Sequence, residues 1–119
     1  MYEYQATLLK VDDGDSIIVS LDLGFGLSQK HSLRFYGINT PELRDKDPAV
    51  RAKALAAKKF VSNFLPTAER ALTIRTIKDR SEKYGRYLAK VYVGDSMASL
   101  NDALVSAGLA VPYMVASSD

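Results

Sequence analysis

Three short polar clusters hold the side chains with which this chain could do chemistry: Asp12-Asp13-Gly14-Asp15, the run Arg34 to Glu42 (RFYGINTPE), and Lys83-Tyr84-Gly85-Arg86. Asp15, Asn39 and the backbone carbonyl of Thr40 are oxygen donors of the kind a hard divalent cation takes. Arg34 and Arg86 are planar, permanently charged forks that can grip two oxygens of a phosphate and stabilise charge building in a transition state. Glu42 is a carboxylate able to act as general base on a water, and Pro41 fixes the backbone just before it. Cation, guanidinium groups and base together are what hydrolysis of a phosphate diester requires. Taken singly, each cluster has a plainer explanation. Aspartates favour turns through side chain to backbone hydrogen bonds, Arg34 would suit a strand-face salt bridge, Arg86 a charge at a strand end, and Glu42 an exposed loop.

Competing chemistries are poorly supplied. The chain has no cysteine and its single histidine is His31, so a zinc site or a nucleophile dyad has no material to be built from. Gly24-Phe25-Gly26 lacks the further glycine and lysine of a phosphate-binding loop and reads as a hairpin tip. The net charge of +2 conceals a division along the chain: residues 1–25 carry one Lys against five acids, residues 26–94 carry fifteen Lys and Arg against six acids, and residues 95–119 carry three acids and no base. A basic central segment suits a polyanionic partner, since clustered cations displace counterions from phosphates. The lysines of the central helix described next have a second explanation as its solvated face.

The elements that must position these residues can be read from periodicity. Tyr4, Ala6 and Leu8 alternate ahead of the acidic turn, where Gly14 is expected to supply a positive φ, and Ile17, Val19, Leu21 and Leu23 alternate after it, predicting strands with one buried face. A third strand is expected around His31 to Tyr36, with Leu33 and Phe35 on one side and Arg34 on the other. Asp47-Pro48 has the form of an N-cap followed by proline at N1, and Val50, Ala54, Ala57, Val61 and Phe64 recur at helical spacing until Pro66 ends the helix. Ala71 to Ile77 and Leu88 to Val93 read as strands four and five. Ser99 can cap a short helix bearing Leu100, Ala103, Leu104 and Ala107, with Gly108 beyond its end, and residues 111–119 show no period. The expected fold is mainly β in the α+β class: a five-stranded OB-type Greek-key barrel with a longer helix after strand three and a short helix after strand five. One domain over residues 1–119 is expected, with no internal repeat or linker.

In this order and at these separations the three clusters resemble those of the staphylococcal nuclease (thermonuclease-like) family, whose motifs run DGD, then R followed by DTPE, then KYGR. The resemblance runs from about Leu8 to Tyr113 and includes Asn101-Asp102-Ala103-Leu104-Val105 and Gly108-Leu109-Ala110. It implies that Asp15, Asn39 and the Thr40 carbonyl converge on one Ca²⁺ ion, with Asp13 hydrogen-bonding the ligands instead of the ion. It implies catalytic roles for Arg34 at the attacked phosphate, Glu42 as base, and Arg86 at the phosphate and leaving oxygen. Lys83, Tyr84 and, after a one-residue shift, Tyr113 would hold a neighbouring nucleotide by charge, hydrogen bonding and stacking.

Three departures stand out. Asn39 occupies a position where the family commonly has aspartate, and its neutral amide oxygen should weaken cation binding. The family usually carries another helix and a basic tail where this sequence reads Ser117-Ser118-Asp119, and the segment between Glu42 and the first helix is shorter than is common.

The expected function is a Ca²⁺-dependent endonuclease of low sequence preference acting on DNA, with RNA as a further candidate substrate and single strands preferred; the resemblance implies 3′-phosphate products. The alternatives are a non-catalytic OB-type nucleic-acid-binding module and, beyond that, a protein-interaction module. Met1-Tyr2-Glu3-Tyr4 lacks the basic and apolar regions of a secretory signal, so a signal is either trimmed or absent, and a soluble monomer without membrane association is expected.

Overall fold

The computed structural model describes residues 3–81 and 87–113, with 78–81 as backbone alone. Strands β1 (Glu3–Asp13), β2 (Ser16–Gly24) and β3 (Leu27–Phe35) form an antiparallel meander. A two-residue strand β4 (Ile38–Asn39) and helix α1 (Pro48–Phe64) precede the antiparallel pair β5 (Leu72–Ser81) and β6 (Tyr87–Val93), and helix α2 (Leu100–Ser106) and a two-residue β7 (Val111–Pro112) follow. The barrel closes in the order β1-β2-β3-β6-β5, with β5 returning to β1 and β3 lying parallel to β6. This is the five-stranded barrel with two helices that the periodicity predicts, and closure leaves its strands with partners on both sides.

Alternation along the strands fills the interior. Ala6, Ile17, Val19, Leu33, Phe35, Leu72, Ile74 and Val91 are buried, and the helices add Ala57, Val61 and Leu65 from α1 and its C-cap and Leu100 and Leu104 from α2 to the same core. Burying one large aliphatic side chain contributes about 1.5–3 kcal/mol, which makes this cluster the main source of stability in a chain without disulfides. Leu23 departs from the expected pattern: it continues the inward face of β2 yet is exposed, because β2 and β3 remain paired to Gly24 and Leu27 while β1 pairs with β2 no further than Leu21. Gly24, Phe25 and Gly26 all have positive φ at the hairpin tip. There the Gly24 N–H donates to Asp22 and, with the Arg70 guanidinium, holds the Asp22 carboxyl below its ordinary range.

The helix boundaries follow from capping. Asp47 accepts from the Ala49 N–H at 2.9 Å with Pro48 in the first turn, and Leu65 turns extended ahead of Pro66. Ser99 accepts from the Asp102 N–H at 3.0 Å. Within α2 the buried polar residue is Asn101. Its Nδ2 donates to the carbonyls of Tyr36 at 2.8 Å and Ala89 at 3.1 Å, while its Oδ1 accepts from the Val91 N–H at 3.1 Å. One amide therefore ties α2, β6 and the turn after β3 together in the interior, where its groups have no water to turn to.

Asn101→Ala removes all three bonds at once. It should cost at least about 1–3 kcal/mol, the penalty for stranding a buried polar group. Urea unfolding of the two proteins measures this, and a shift of only a few tenths would show that the amide is dispensable.

Candidate active site

The β1–β2 turn is closed by its own side chains. Asp13 Oδ1 accepts from the Asp15 N–H at 3.0 Å and from Ser16 Oγ at 3.1 Å, the aspartate turn chemistry that makes this residue common in tight connections. Asp13 is thus committed to shaping the turn that presents Asp15. Gly14 is required for a reason other than the expected one: its φ lies outside the left-handed region. A Cβ there would stand 2.7 Å from Ala57 Cβ and 3.2 Å from Thr40 Oγ1. Space is what glycine provides, because the turn is wedged between α1 and the chain leaving β4.

Across the barrel wall Ser16 pairs with Arg34, and the Phe35 N–H donates to the Asp15 carbonyl at 2.8 Å. That register sets Asp15 beside Arg34. The guanidinium Nη2 lies 3.6 Å from Asp15 Oδ2 and donates to Asn39 Oδ1 at 3.0 Å, and Arg34 Cζ sits 5.9 Å from the centroid of the Tyr113 ring. The Arg34 and Asp15 side chains are only 12% and 10% exposed, so their attraction is weakly screened. Asn39 is delivered by the turn at Gly37, whose φ is +80°, and by the pairing of β4 with β7, Asn39 opposite Val111. The Tyr113 N–H donates to the Gly37 carbonyl at 2.8 Å, which fixes the backbone at the ring.

Of the residues singled out from sequence, the fold therefore gathers Asp13, Asp15, Arg34, Asn39 and Tyr113, with Thr40 buried against the acidic turn. Glu42 is exposed two residues further on, and its carbonyl accepts from the Asp45 N–H at 3.2 Å. Lys83, Tyr84 and Arg86 lie outside the described residues. Sequence reading misses Arg51, which reaches back from α1 to donate to the carbonyls of Asp45 at 2.9 Å and Lys46 at 3.0 Å and so pins the loop that follows Glu42. An arginine one turn into a helix looks like any solvated charge, so no sequence signal would have identified it.

Asp15, Asn39 and the Thr40 carbonyl offer only oxygen, which is the chemistry of a hard cation. They bring one formal negative charge, and among the described residues no three His, Cys, Asp or Glu side chains cluster in a metal-binding arrangement. The donor set fits such an ion in kind, with less charge than two carboxylates would bring.

The chain matches the family described as "Staphylococcal nuclease homologue" over residues 32–119. It is similar to the thermonuclease of Staphylococcus intermedius, 33% identical over 101 residues covering 85% of this chain and 55% of that protein. It is also similar to the thermonuclease of Staphylococcus hyicus, 31% identical over 103 residues covering 87% and 56%. The chain thus spans little more than half the length of these relatives.

Gly14→Ala should destabilise by about 1–3 kcal/mol through overpacking. Since the conflict is with one methyl group, a double-mutant cycle with Ala57→Gly should show the two changes compensating, after allowance for the helix cost of glycine. Strictly additive losses in urea unfolding would assign the glycine some other role.

Proposed function

The chain belongs to the staphylococcal nuclease homologue family, and from that membership and the Asp15–Arg34–Asn39 cluster we propose that it is a metal-dependent endonuclease that hydrolyses DNA and RNA with low sequence preference. The observation that carries this reading is a nearly buried guanidinium held at 3.0 Å and 3.6 Å from two side-chain oxygens of the type that bind hard cations. In it Arg34 receives two oxygens of the scissile phosphate in its planar fork, which lysine could not do. Glu42 takes the proton of the attacking water as general base, in keeping with a carboxylate left open to solvent two residues past Thr40. Tyr113 offers an aromatic face beside the guanidinium on which an unpaired base can stack. Arg86, Lys83 and Tyr84 complete the reading by family resemblance, with Arg86 at the leaving oxygen and a 3′-phosphate as the product.

Asp15, Asn39 and the Thr40 carbonyl would hold one Ca²⁺, which when bound shields phosphate charge and lowers the pKa of its water. One feature favours the non-catalytic alternative: residue 39 is a neutral amide whose oxygen already accepts from Arg34.

Denatured DNA incubated with the protein and Ca²⁺ should be cut, and a chelator should stop the reaction. Glu42→Gln should keep DNA affinity while losing about 10²–10⁴-fold in turnover, the usual contribution of a positioned base. Tight binding with no cleavage by the wild-type chain would leave the binding module standing instead. Asn39→Asp should bind Ca²⁺ more tightly in a calorimetric titration, because an added ligand charge strengthens the site. An unchanged isotherm would remove residue 39 from the ligand set.

A further inference from the structure

Beside the Arg34 cluster lies a groove of about 320 Å³ that shares Asn39 and Thr40 with it and runs under α1 to the chain that leaves α2. Pro41, Leu109, Ala110 and Val111 give it an apolar floor. The N–H groups of Leu109 and Ala110 are both spent on the Leu104 carbonyl, at 3.0 Å and 3.2 Å, so the backbone there adds little polarity. Among the described residues the one ionisable group lining the groove is Lys53, and no acid lines it. Lys53 is placed by the register of α1: it precedes the buried Ala54 and stands one helical turn before Ala57, the residue that abuts the acidic turn at Gly14. The helix contact that seats the turn thus also sets a cation over an apolar cleft next to the phosphate-gripping arginine.

We propose that this groove is a second nucleotide subsite, in which the apolar floor takes the sugar and base of the neighbouring residue of the strand and Lys53 takes its phosphate. The inference rests on the reading of the chain as acting on nucleic acid and extends it to how the strand is held. An exposed ammonium is a strongly hydrated point charge, unlike the forked guanidinium of Arg34. Lys53 therefore acts on binding and leaves the chemical step alone, with an effect of modest size because water screens it. The effect must also depend on substrate length, since a dinucleotide with a single internal phosphate has none left for Lys53 once that phosphate lies on Arg34.

The test compares wild type with Lys53→Ala, Lys53→Glu and Lys53→Arg on a thymidine dinucleotide and a thymidine octamer. Binding is read by fluorescence anisotropy across a salt series, and cleavage by KM and kcat. For the octamer, Lys53→Ala should weaken binding about 3–10-fold and flatten the slope of log K against log salt by about 0.7, the value for one phosphate contact on a single strand. Lys53→Glu should lose more, Lys53→Arg should recover most of the loss, and kcat should stay near wild type. The penalty should grow from dinucleotide to octamer. If wild type binds the octamer and all three variants bind it equally well, or if the loss is the same at both lengths, the subsite is refuted while the nuclease reading survives. A wild-type chain with no affinity for the octamer would overturn both.

Discussion

The site depends on the register of β2 against β3. Ser16 lies opposite Arg34, and the bond from the Phe35 N–H to the Asp15 carbonyl extends that register into the turn. Side chains alternate along a strand, so a slip of one residue would drive Arg34 inward and turn Leu33 and Phe35 out to water. Those two are 1% and 0% exposed in the core, which makes their burial the force that holds the guanidinium on the outer surface. Arg34 can meet Asp15 and Asn39 because the hydrophobic core has no other way to accept β3. The same apolar residues that stabilise the barrel therefore aim the charged one.

Helix α1 has an equal share in the site although it contributes no ligand to it. Ala57 leaves room for Gly14 and nothing larger, so the acidic turn rests directly on the helix surface. At the N-terminal end Asp47 caps the helix, Asp45 accepts from the Asp47 N–H at 2.8 Å, and Arg51 binds two carbonyls of the preceding loop. The segment between Glu42 and α1 is short, and these bonds replace what a longer loop would need in packing of its own. On the other flank Asn101 fastens α2 to the turn after β3, and the chain emerging from α2 pairs with β4 and carries Tyr113 to Arg34. Two helices and one barrel edge thus converge on a few polar atoms.

Much of this was legible before any coordinates, and what was legible shares a physical basis. Caps such as Asp47-Pro48 and Ser99 are local, decided by residues within one turn of each other, and the period of two along β2 reflects a face that must be buried. What escaped is non-local. β4 and β7 are two residues long, too short to have a period, and exist only because each finds the other. Gly14 suggests a backbone conformation when read in its turn, whereas the constraint on it comes from Ala57, far along the chain. Leu23 fits the buried face of β2 by pattern, but burial needs neighbours and β1 does not pair that far. The roles of Arg51 and of Lys53 over the groove depend in the same way on partners brought in by the fold. For the site, sequence spacing named the polar residues, and the fold supplied the reason that several of them meet.

Charge balance bears on why residue 39 is an amide. Arg34 and Asp15 neutralise one another, and Asn39 accepts from the guanidinium without adding charge. A carboxylate at the exposed position 39 would bring a second negative charge against a single guanidinium, a surplus that a bound cation would offset. With asparagine the contact group is neutral and self-satisfied, so the turn, β3 and β4 can pack without an ion to bind them. On the proposed reading the cost is a lower affinity for the cation, because a cluster without net charge attracts it only through its oxygen dipoles. On that reading, much of the negative charge that retains the ion must then arrive with the substrate's phosphates, and cation and nucleic acid strengthen each other's binding. A basic central segment that gathers phosphates is consistent with that arrangement, since it concentrates the partner that the site itself lacks the charge to replace.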